Sequence, residues 1–173
     1  MTGYPIQRVF TIAAADVAGL AELLIDCVAG GASVSFMHPL PMAKALDYWQ
    51  RIAVDVQRGG RALLVARDGR GITGAVQLVL DQPENQPHRA DLSKMLVHRG
   101  ARRQGLGAAL LGAAERVARD CGKSLLVLDT ASGDAERLYT KLGWQRVGVI
   151  PGYALLPQGG LCDTTFFYRR LTA

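Results

Sequence analysis

The sequence predicts an α/β protein built on a mixed sheet, because runs with strand patterns alternate with runs of helical periodicity. In the first half, two apolar runs flank Asp68-Gly69-Arg70-Gly71, and Asp-Gly between such runs is a strong hairpin signal. In the second half, helical stretches separate the apolar runs, a pattern typical of crossovers between parallel strands. Hairpins and crossovers together predict one sheet with both kinds of pairing.

The first half of the chain contains patterns for three strands and two helices. Asp16 can cap the first helix, because a carboxylate accepts hydrogen bonds from the free amides at a helix start. Gly30-Gly31 ends that helix, and a loop containing glycine and serine runs from Gly30 to Leu40. The predicted elements, in order, are strand Gln7–Ile12, the helix from Asp16, helix Pro41–Gln57, strand Arg61–Arg67 and strand Ile72–Leu80.

The second half alternates strands with helices. A polar loop with two prolines, Asp81–Arg89, precedes the fourth strand. Prolines and glycines between Pro151 and Asp163 predict a long loop before the last strand. The predicted elements, in order, are strand Ala90–Val97, basic turn Arg99–Gln104, helix Gly105–Arg119, strand Ser124–Asp129, helix Asp134–Leu142, strand Gln145–Ile150 and strand Thr164–Leu171.

Length and composition restrict the class of protein. The chain has 173 residues, the size of one ordinary domain, so we expect a single domain over residues 1–173. A hydrophobic fraction of 49% with 20% charged residues excludes a disordered chain. Three widely spaced cysteines without a CxxC pair argue against a disulfide scaffold or zinc knuckle and favour a reducing compartment. No signal pattern or membrane-length apolar run is present, so we expect a cytoplasmic protein without a membrane partner.

The charge balance favours an anionic partner. The formal net charge is +5 at pH 7, which suits a polyphosphate cofactor as well as a nucleic acid. The sequence lacks the interleaved aromatic and basic strand pattern of a nucleic-acid surface, so we expect no nucleic-acid partner. Binding to DNA or RNA with a steep salt dependence would contradict that expectation.

The segment MLVHRGARRQGLGAALLGAAERVA, from Met95 to Ala118, reads as strand, arginine-rich turn and amphipathic helix. Amides in the first turn of a helix lack internal partners and lie at the positive end of the helix dipole, so they can bind an anion. Gly105 and Gly107 lack Cβ atoms, which lets an anionic group approach the main chain. A dinucleotide fingerprint fails because its third glycine is Leu110. Gly122-Lys123-Ser124 supplies only the end of a Walker loop and leads into a strand.

These residues resemble a known superfamily. Arg102, Gly105 and Gly107 match Q/R-x-x-G-x-G/A, the pyrophosphate-binding signature of the GNAT N-acetyltransferase superfamily. Downstream, AERLYTKLGW (Ala135–Trp144) resembles the last conserved helix of that superfamily, and the resemblance covers about residues 60–150. Three further segments resemble the tabtoxin-resistance acetyltransferases: GGASVSFM (30–37), LDTASGDAERLY (128–139) and PGYALLPQGG (151–160).

The resemblance implies a fold and a reaction. The fold is the GNAT fold, a mixed twisted sheet of about seven strands flanked by about four helices and splayed between the fourth and fifth strands. The donor is acetyl-CoA, which enters the gap between those strands, and no metal takes part. The acceptor is an amine of a small molecule, either amino-acid-like or an antibiotic or toxin, which attacks directly in a ternary complex. Homodimers are frequent in the superfamily, so a second copy is a candidate partner.

The resemblance also implies where the cofactor binds. Main-chain amides of the turn hold the pyrophosphate, and the fourth strand pairs with the pantetheine arm. Many relatives carry Asn seven residues before the conserved tyrosine, where this chain has Ser132, whose hydroxyl can still bond. The implied cofactor-binding residues are Met95, Leu96, Val97, Arg102, Arg103, Gln104, Gly105, Leu106, Gly107, Ala108 and Ser132.

Three residues are candidates for catalysis. Tyr139 matches the conserved tyrosine and is implied to protonate the departing thiolate, the alternative being a tyrosine that packs a short helix on the sheet. Asp91 opens the fourth strand and Asp129 ends the fifth, and either carboxylate can accept the amine proton. Asp129 also has a structural alternative, capping the next turn. The candidates for acceptor binding are Asp129, His38 in the first loop and Tyr153 in the last one.

Other functions make different predictions. His38, His88 and His98 show no metal-ligand spacing, and Ser33 and Ser35 lack the GxSxG elbow of a serine hydrolase. A protein or peptide N-acetyltransferase needs an open groove where a small-molecule enzyme has a pocket. A non-catalytic acyl-CoA-binding regulatory module binds the cofactor without transferring its acetyl group.

Overall fold

The computed structural model describes residues 4–172, and these form one seven-stranded sheet with four α-helices. The ends of the predicted domain, residues 1–3 and 173, lie outside the described residues. The strands are β1 (Ile6–Val9), β2 (Arg61–Asp68), β3 (Gly71–Val79), β4 (Arg89–Val97), β5 (Leu125–Thr130), β6 (Gln145–Leu155) and β7 (Leu161–Arg170). The helices are α1 (Ala14–Ala29), α2 (Met42–Gln57), α3 (Leu106–Asp120) and α4 (Gly133–Lys141).

The sheet has the order β1-β2-β3-β4-β5-β7-β6. The first four strands pair antiparallel, as do β5, β7 and β6. β4 and β5 pair parallel, and α3 forms the crossover that a parallel pair needs. The predicted mixed α/β sheet of about seven strands and four helices is therefore confirmed.

Apolar side chains cover both faces of the sheet. One buried cluster joins the sheet to α1 and α2 and includes Leu20 and Trp49. The other joins it to α3, α4 and the last strands and includes Leu110 and Phe167. Residues 72–78 of β3 are all buried, which explains why its sequence is mostly apolar, with only Thr73 and Gln77 as polar side chains.

One helix-cap prediction is wrong. α1 begins at Ala14, and its N-cap is Ala13, which provides no side-chain hydrogen bond. Asp16 lies in the first helical turn, and its Oδ2 pairs with Arg67 Nη2 at 2.9 Å. A carboxylate in a first turn still interacts favourably with the helix dipole, so the acidic residue marks the helix start without capping it.

The prediction that Pro151–Asp163 forms a loop is also wrong. β6 continues to Leu155 and β7 begins at Leu161, so most of this segment is a hairpin arm. The register shifts between Ile150 and Ala154, where the chain passes through Pro151 and Gly152. A bulge tolerates the missing proline amide, and this is why residues that resemble a loop continue a strand.

β4 and β5 separate along their length. They share three residue pairs, Arg89–Leu125, Ala90–Leu126 and Asp91–Val127, and beyond these pairs both strands continue without pairing to each other. A bulge in β4 accompanies the separation, since the register against β3 shifts between Ala75 and Gln77. Bulges bend a strand and increase its twist. The predicted splay between the fourth and fifth strands is confirmed.

Candidate active site

The turn before α3 points main-chain amides at open space. Gly105 is the N-cap of α3 with φ of +84°, a left-handed conformation that glycine adopts without strain. A Cβ atom at Gly105 would meet nothing within 4 Å. The first amides of α3 have no intrahelical acceptor and lie at the positive end of the helix dipole. Geometry and charge therefore suit a diphosphate.

Gly107 has a packing role in addition to the predicted one. A Cβ atom there would lie 3.1 Å from Leu138 Cδ2 on α4 and 3.6 Å from Met95 Cε on β4. The missing side chain lets the start of α3 approach α4 closely. Leu138 precedes Tyr139 in the sequence, so this contact joins the anion-binding turn to the predicted general acid.

Side chains of the basic turn brace its backbone. Arg102 Nε donates to the Val97 carbonyl at 3.3 Å. Gln104 Nε2 donates to the Gly100 carbonyl at 3.2 Å, and its Oε1 accepts from the Tyr4 hydroxyl at 3.1 Å. These bonds hold the turn in place, so the amides keep their direction.

A cavity of about 710 Å³ extends from this turn into the gap between β4 and β5. Leu96, Gln104 and Leu106 do not line it, and Leu96 and Leu106 are buried in the core; their predicted contacts are through the main chain. Ser132 caps α4, its Oγ accepting from the Ala135 amide at 3.4 Å. The predicted cofactor residues that line this cofactor cavity are Met95, Val97, Arg102, Arg103, Gly105, Gly107, Ala108 and Ser132.

A second cavity, of about 760 Å³, lies on the other side of the gap. We call it the acceptor cavity; β4, β5, α2 and the loop segment Ser33–Phe36 line it. The two cavities share Ser33, Val34, Met95 and Thr130. They therefore meet between the separated strands, where a molecule in one cavity reaches a molecule in the other.

Tyr139 lines the acceptor cavity, and its neighbour in the sequence, Leu138, lines the cofactor cavity. Tyr139 is 4% exposed, with its ring packed against those of Trp144 and Phe167. Burial raises the pKa of Tyr139 well above its usual range, and the negative charge of Asp129 raises it further. The hydroxyl is therefore protonated at neutral pH, the form that a general acid requires.

The two predicted bases have different surroundings. Asp129 is exposed at the end of β5, lines the acceptor cavity and accepts from Thr164 Oγ1 at 3.4 Å. Asp91 also lines the cavity, but its carboxylate forms an ion pair with Arg89 and accepts from Gln82 Nε2 at 3.2 Å. Because Arg89 and Gln82 already occupy the oxygens of Asp91, its carboxylate is less available to a substrate, so the geometry favours Asp129.

The other two predicted acceptor residues are not among the residues that line either cavity. His38 is exposed, and its amide donates to the Pro157 carbonyl at 2.8 Å, joining the first loop to the β6–β7 turn. Tyr153 is half exposed on β6, with its ring edge-on to Phe166. Neither residue lines either of the two cavities described above, so the geometry adds no support to their predicted roles.

Three long polar side chains at the acceptor cavity were not among the predicted site residues. Arg61 and Lys94 line the cavity, and Gln77 is fully buried beneath it. Burial lowers the pKa of Lys94, the positive charge of Arg61 lowers it further, and Asp129 opposes both. One signal was available: Gln77 is a lone amide in the apolar run of β3. A buried polar side chain in such a run requires partners.

Two classes of site find no support in residues 4–172. In that range, no group of three His, Cys, Asp or Glu side chains is placed to hold a metal ion. Among its helices, none has the length and apolar character to cross a membrane.

Comparisons with known proteins agree with this geometry. The model of the acetyltransferase (GNAT) family matches residues 20–144. An uncharacterized N-acetyltransferase from the hisH-hisA intergenic region of Azospirillum brasilense is 32% identical over 132 residues, covering 75% of this chain and 76% of that protein. Fold and site thus define a transferase that uses a CoA thioester, and the chain belongs to the acetyltransferase (GNAT) family.

Solved structures share the fold at lower identity. A phosphinothricin acetyltransferase from Sinorhizobium meliloti, in complex with acetyl-CoA, has a TM-score of 0.80 at 21% identity, covering 98% of this chain and 89% of that one. A ribosomal-protein-alanine N-acetyltransferase from Brucella melitensis has a TM-score of 0.78 at 22% identity, covering 96% and 99%. The predicted donor, acetyl-CoA, is thus the ligand bound in a protein of the same fold.

Proposed function

We propose that this protein transfers the acetyl group of acetyl-CoA to an amine of a small molecule by direct attack in a ternary complex. The observation that carries this proposal is the junction of two cavities in the gap between β4 and β5, with Tyr139 and Asp129 beside it. Holding both substrates in one cleft removes most of the entropic barrier to their reaction.

The donor residues follow from the cofactor cavity. The amides from Arg103 to Ala108 bind the diphosphate, while Arg102 and Ser132 border the same cavity. Unpaired β4 main chain between Leu92 and Val97 faces the gap, so it can pair with the pantetheine arm as another strand does. An amide of Leu96 or Val97 then donates to the thioester carbonyl oxygen, where negative charge develops.

The acid and base divide the proton transfers. Asp129, directly or through water, accepts the proton of the amine as nitrogen bonds to the carbonyl carbon. As the carbon–sulfur bond breaks, Tyr139 gives its proton to the thiolate. Freeing an α-amine of pKa near 8 at pH 7 costs about 1–1.5 kcal/mol, against roughly 4–5 kcal/mol for a lysine-like amine. The α-amine is the weaker base of the two, so it gives up its proton more easily to an exposed carboxylate such as Asp129.

Cavity size favours a small acceptor over a peptide. The acceptor cavity of about 760 Å³ falls in the range of sites that enclose a small ligand. The loop segment Ser33–Phe36 and α2 wall it, where a peptide enzyme needs an open groove. An array of peptide acceptors distinguishes the two functions, since acetylation of peptides in preference to free amines contradicts the proposal.

The proposal extends to the class of acceptor, the cellular location and the assembly. Resemblance of residues 30–37, 128–139 and 151–160 to tabtoxin-resistance acetyltransferases supports an amino-acid-like acceptor and a resistance role. Free Cys27, Cys121 and Cys162 support a reducing, cytoplasmic location. A second copy of the chain is a candidate partner, and the molar mass in solution distinguishes a monomer from a homodimer.

The test is a turnover screen with acetyl-CoA against amino acids, polyamines, aminoglycosides and β-lactam dipeptides, read by thiol release. We expect acetylation of at least one amine class, with thiol release dependent on that amine. Binding of acetyl-CoA without transfer to any amine would instead identify a regulatory module.

A further inference from the structure

We propose that the acceptor carries a carboxylate as well as its amine, and that Lys94 and Arg61 bind this carboxylate inside the acceptor cavity. The inference rests on the proposed function and specifies its substrate class. Arg61 on β2, Lys94 on β4 and Asp129 on β5 all line the cavity, so the site offers both cations and a carboxylate to a molecule that carries both charges.

The backbone directs Lys94 into the cavity. Lys94 occupies the β4 bulge with φ of +48°, a conformation that costs a non-glycine residue roughly 1–2 kcal/mol. Its Nζ donates to Ser35 Oγ at 3.0 Å and lies 5.9 Å from the centroid of the Tyr48 ring. A strained position that holds a lysine, where glycine would relieve the strain, indicates that the side chain has a use.

Arg61 is held by a fixed amide. Arg61 Nη1 donates to Gln77 Oε1 at 2.9 Å, and a guanidinium can only donate, so the oxygen of the amide faces Arg61. Gln77 Nε2 donates to the Tyr48 oxygen at 3.1 Å, and the Tyr48 hydroxyl donates back to Gln77 Oε1 over a longer 3.5 Å. Tyr48 lines the cavity as well, so the amide is held between Tyr48 and Arg61.

The two cations have few partners among residues 4–172. Arg61 Nε is buried without a hydrogen-bond partner; its ion pair is with Asp55 Oδ2 at 3.5 Å, and the other oxygen of that carboxylate, Oδ1, pairs with Arg58. Within residues 4–172, Lys94 Nζ makes one hydrogen bond, and its acceptor is the neutral hydroxyl of Ser35. Burial and the positive charge of Arg61 lower the pKa of Lys94 while the negative charge of Asp129 opposes them, so a carboxylate bound beside Lys94 would stabilise its charged form.

The experiment compares acceptors that differ only in this charge. Thiol release from acetyl-CoA is measured with the L-α-amino acids and γ-aminobutyrate, each beside its carboxamide, in which the carboxylate is neutral. We expect kcat/KM for the best carboxylate to exceed that of its amide by about 10- to 100-fold, the worth of a hydrogen bond to a charged group.

Variants assign the preference to the two cations. Lys94→Met is expected to lower the preference about 10-fold, mainly by raising KM for the carboxylate, and Arg61→Gln is expected to lower it as well. Lys94→Arg retains most of it. Arg51→Gln is the matched control, since Arg51 is an exposed cation on α2 outside the cavity lining and its loss should not change the ratio.

The alternative is that Lys94 only anchors the loop through Ser35. In that case Lys94→Met would slow the acid and its amide equally, and an unchanged ratio overturns the inference. Wild-type acetylation of amides as fast as acids overturns it too and leaves the proposed function standing. No turnover of any acceptor, with acetyl-CoA bound in calorimetry, overturns both.

Discussion

The two cavities are built from different parts of the chain. The cofactor cavity takes most of its predicted contacts from one continuous stretch, Met95 to Ala108, and uses main-chain amides. The acceptor cavity takes its charged and hydroxyl groups from the loop segment Ser33–Phe36 and from α2, β2, β4, β5 and α4, which are far apart in sequence. A donor common to a superfamily can be recognised by backbone geometry, whereas selection among amines requires side chains.

This difference predicts that substitutions will separate donor effects from acceptor effects. Replacing a side chain at the junction should change turnover with little effect on acetyl-CoA affinity. Replacing a glycine of the turn should do the reverse.

The largest effect is expected for Tyr139→Phe. Loss of the general acid should lower kcat about 100-fold or more while calorimetry finds an unchanged acetyl-CoA affinity. Because burial raises the pKa of Tyr139, the wild-type kcat should show no titration of this group between pH 6 and pH 9. Activity of the variant equal to wild type across that range would leave Tyr139 a packing residue only.

The next effect separates the two carboxylates. Asp129→Asn should lower kcat/KM about 10- to 100-fold, because the freer carboxylate is the predicted base. Asp91→Asn is the matched comparison and should cost only a few-fold, because Arg89 and Gln82 already occupy that carboxylate. A larger loss for Asp91→Asn would reverse the assignment of the base.

A smaller effect on the donor side is expected for Gly105→Val. The left-handed φ of +84° costs a side chain roughly 1–2 kcal/mol, so the acetyl-CoA Kd in calorimetry should rise about 10-fold. Gly112→Ala, within α3, is the control: it should leave the Kd unchanged and raise the Tm slightly, since its Cβ meets only Arg116 at 3.7 Å. Equal Kd values for both variants and the wild type would argue against binding of the diphosphate by the main-chain amides of this turn.

The smallest effect on turnover at neutral pH concerns Cys27, which lines the cofactor cavity. Burial raises the pKa of Cys27 to about 11, and its Sγ donates to the Val97 carbonyl at 3.5 Å. The thiolate is the reactive form, so alkylation by iodoacetamide at pH 7.5 should be slow and activity should persist. The labelling rate, followed by mass spectrometry, should rise with pH up to about 11. A midpoint near pH 8.5 would contradict this prediction.

The parts of the site that could be predicted from the sequence are those formed by residues adjacent in the chain. The strand, turn and helix around Gly105 are adjacent in the chain, so their geometry follows from spacing and from the absence of a side chain. Sequence reasoning failed for the β6–β7 hairpin, because Pro151 and Gly152 signal a turn unless the partner strand and its bulge are known. It also missed Lys94 and Arg61, since their approach depends on the β4 bulge and on the pairing of β2 with β3, which no local pattern encodes.

The loop segment Ser33–Phe36 walls the acceptor cavity but belongs to neither the sheet nor the helices. Within it, Ser35 accepts from Lys94 and Ser33 Oγ contacts Cys162 Sγ at 4.0 Å, and just beyond it His38 donates to Pro157. These partners lie outside the strand that carries Asp129 and the helix that carries Tyr139. Insertions or exchanges in this segment can therefore reshape the choice of amine while the reacting groups keep their positions. We therefore expect new acceptor specificities, whether natural or engineered, to arise mainly from changes in this loop segment.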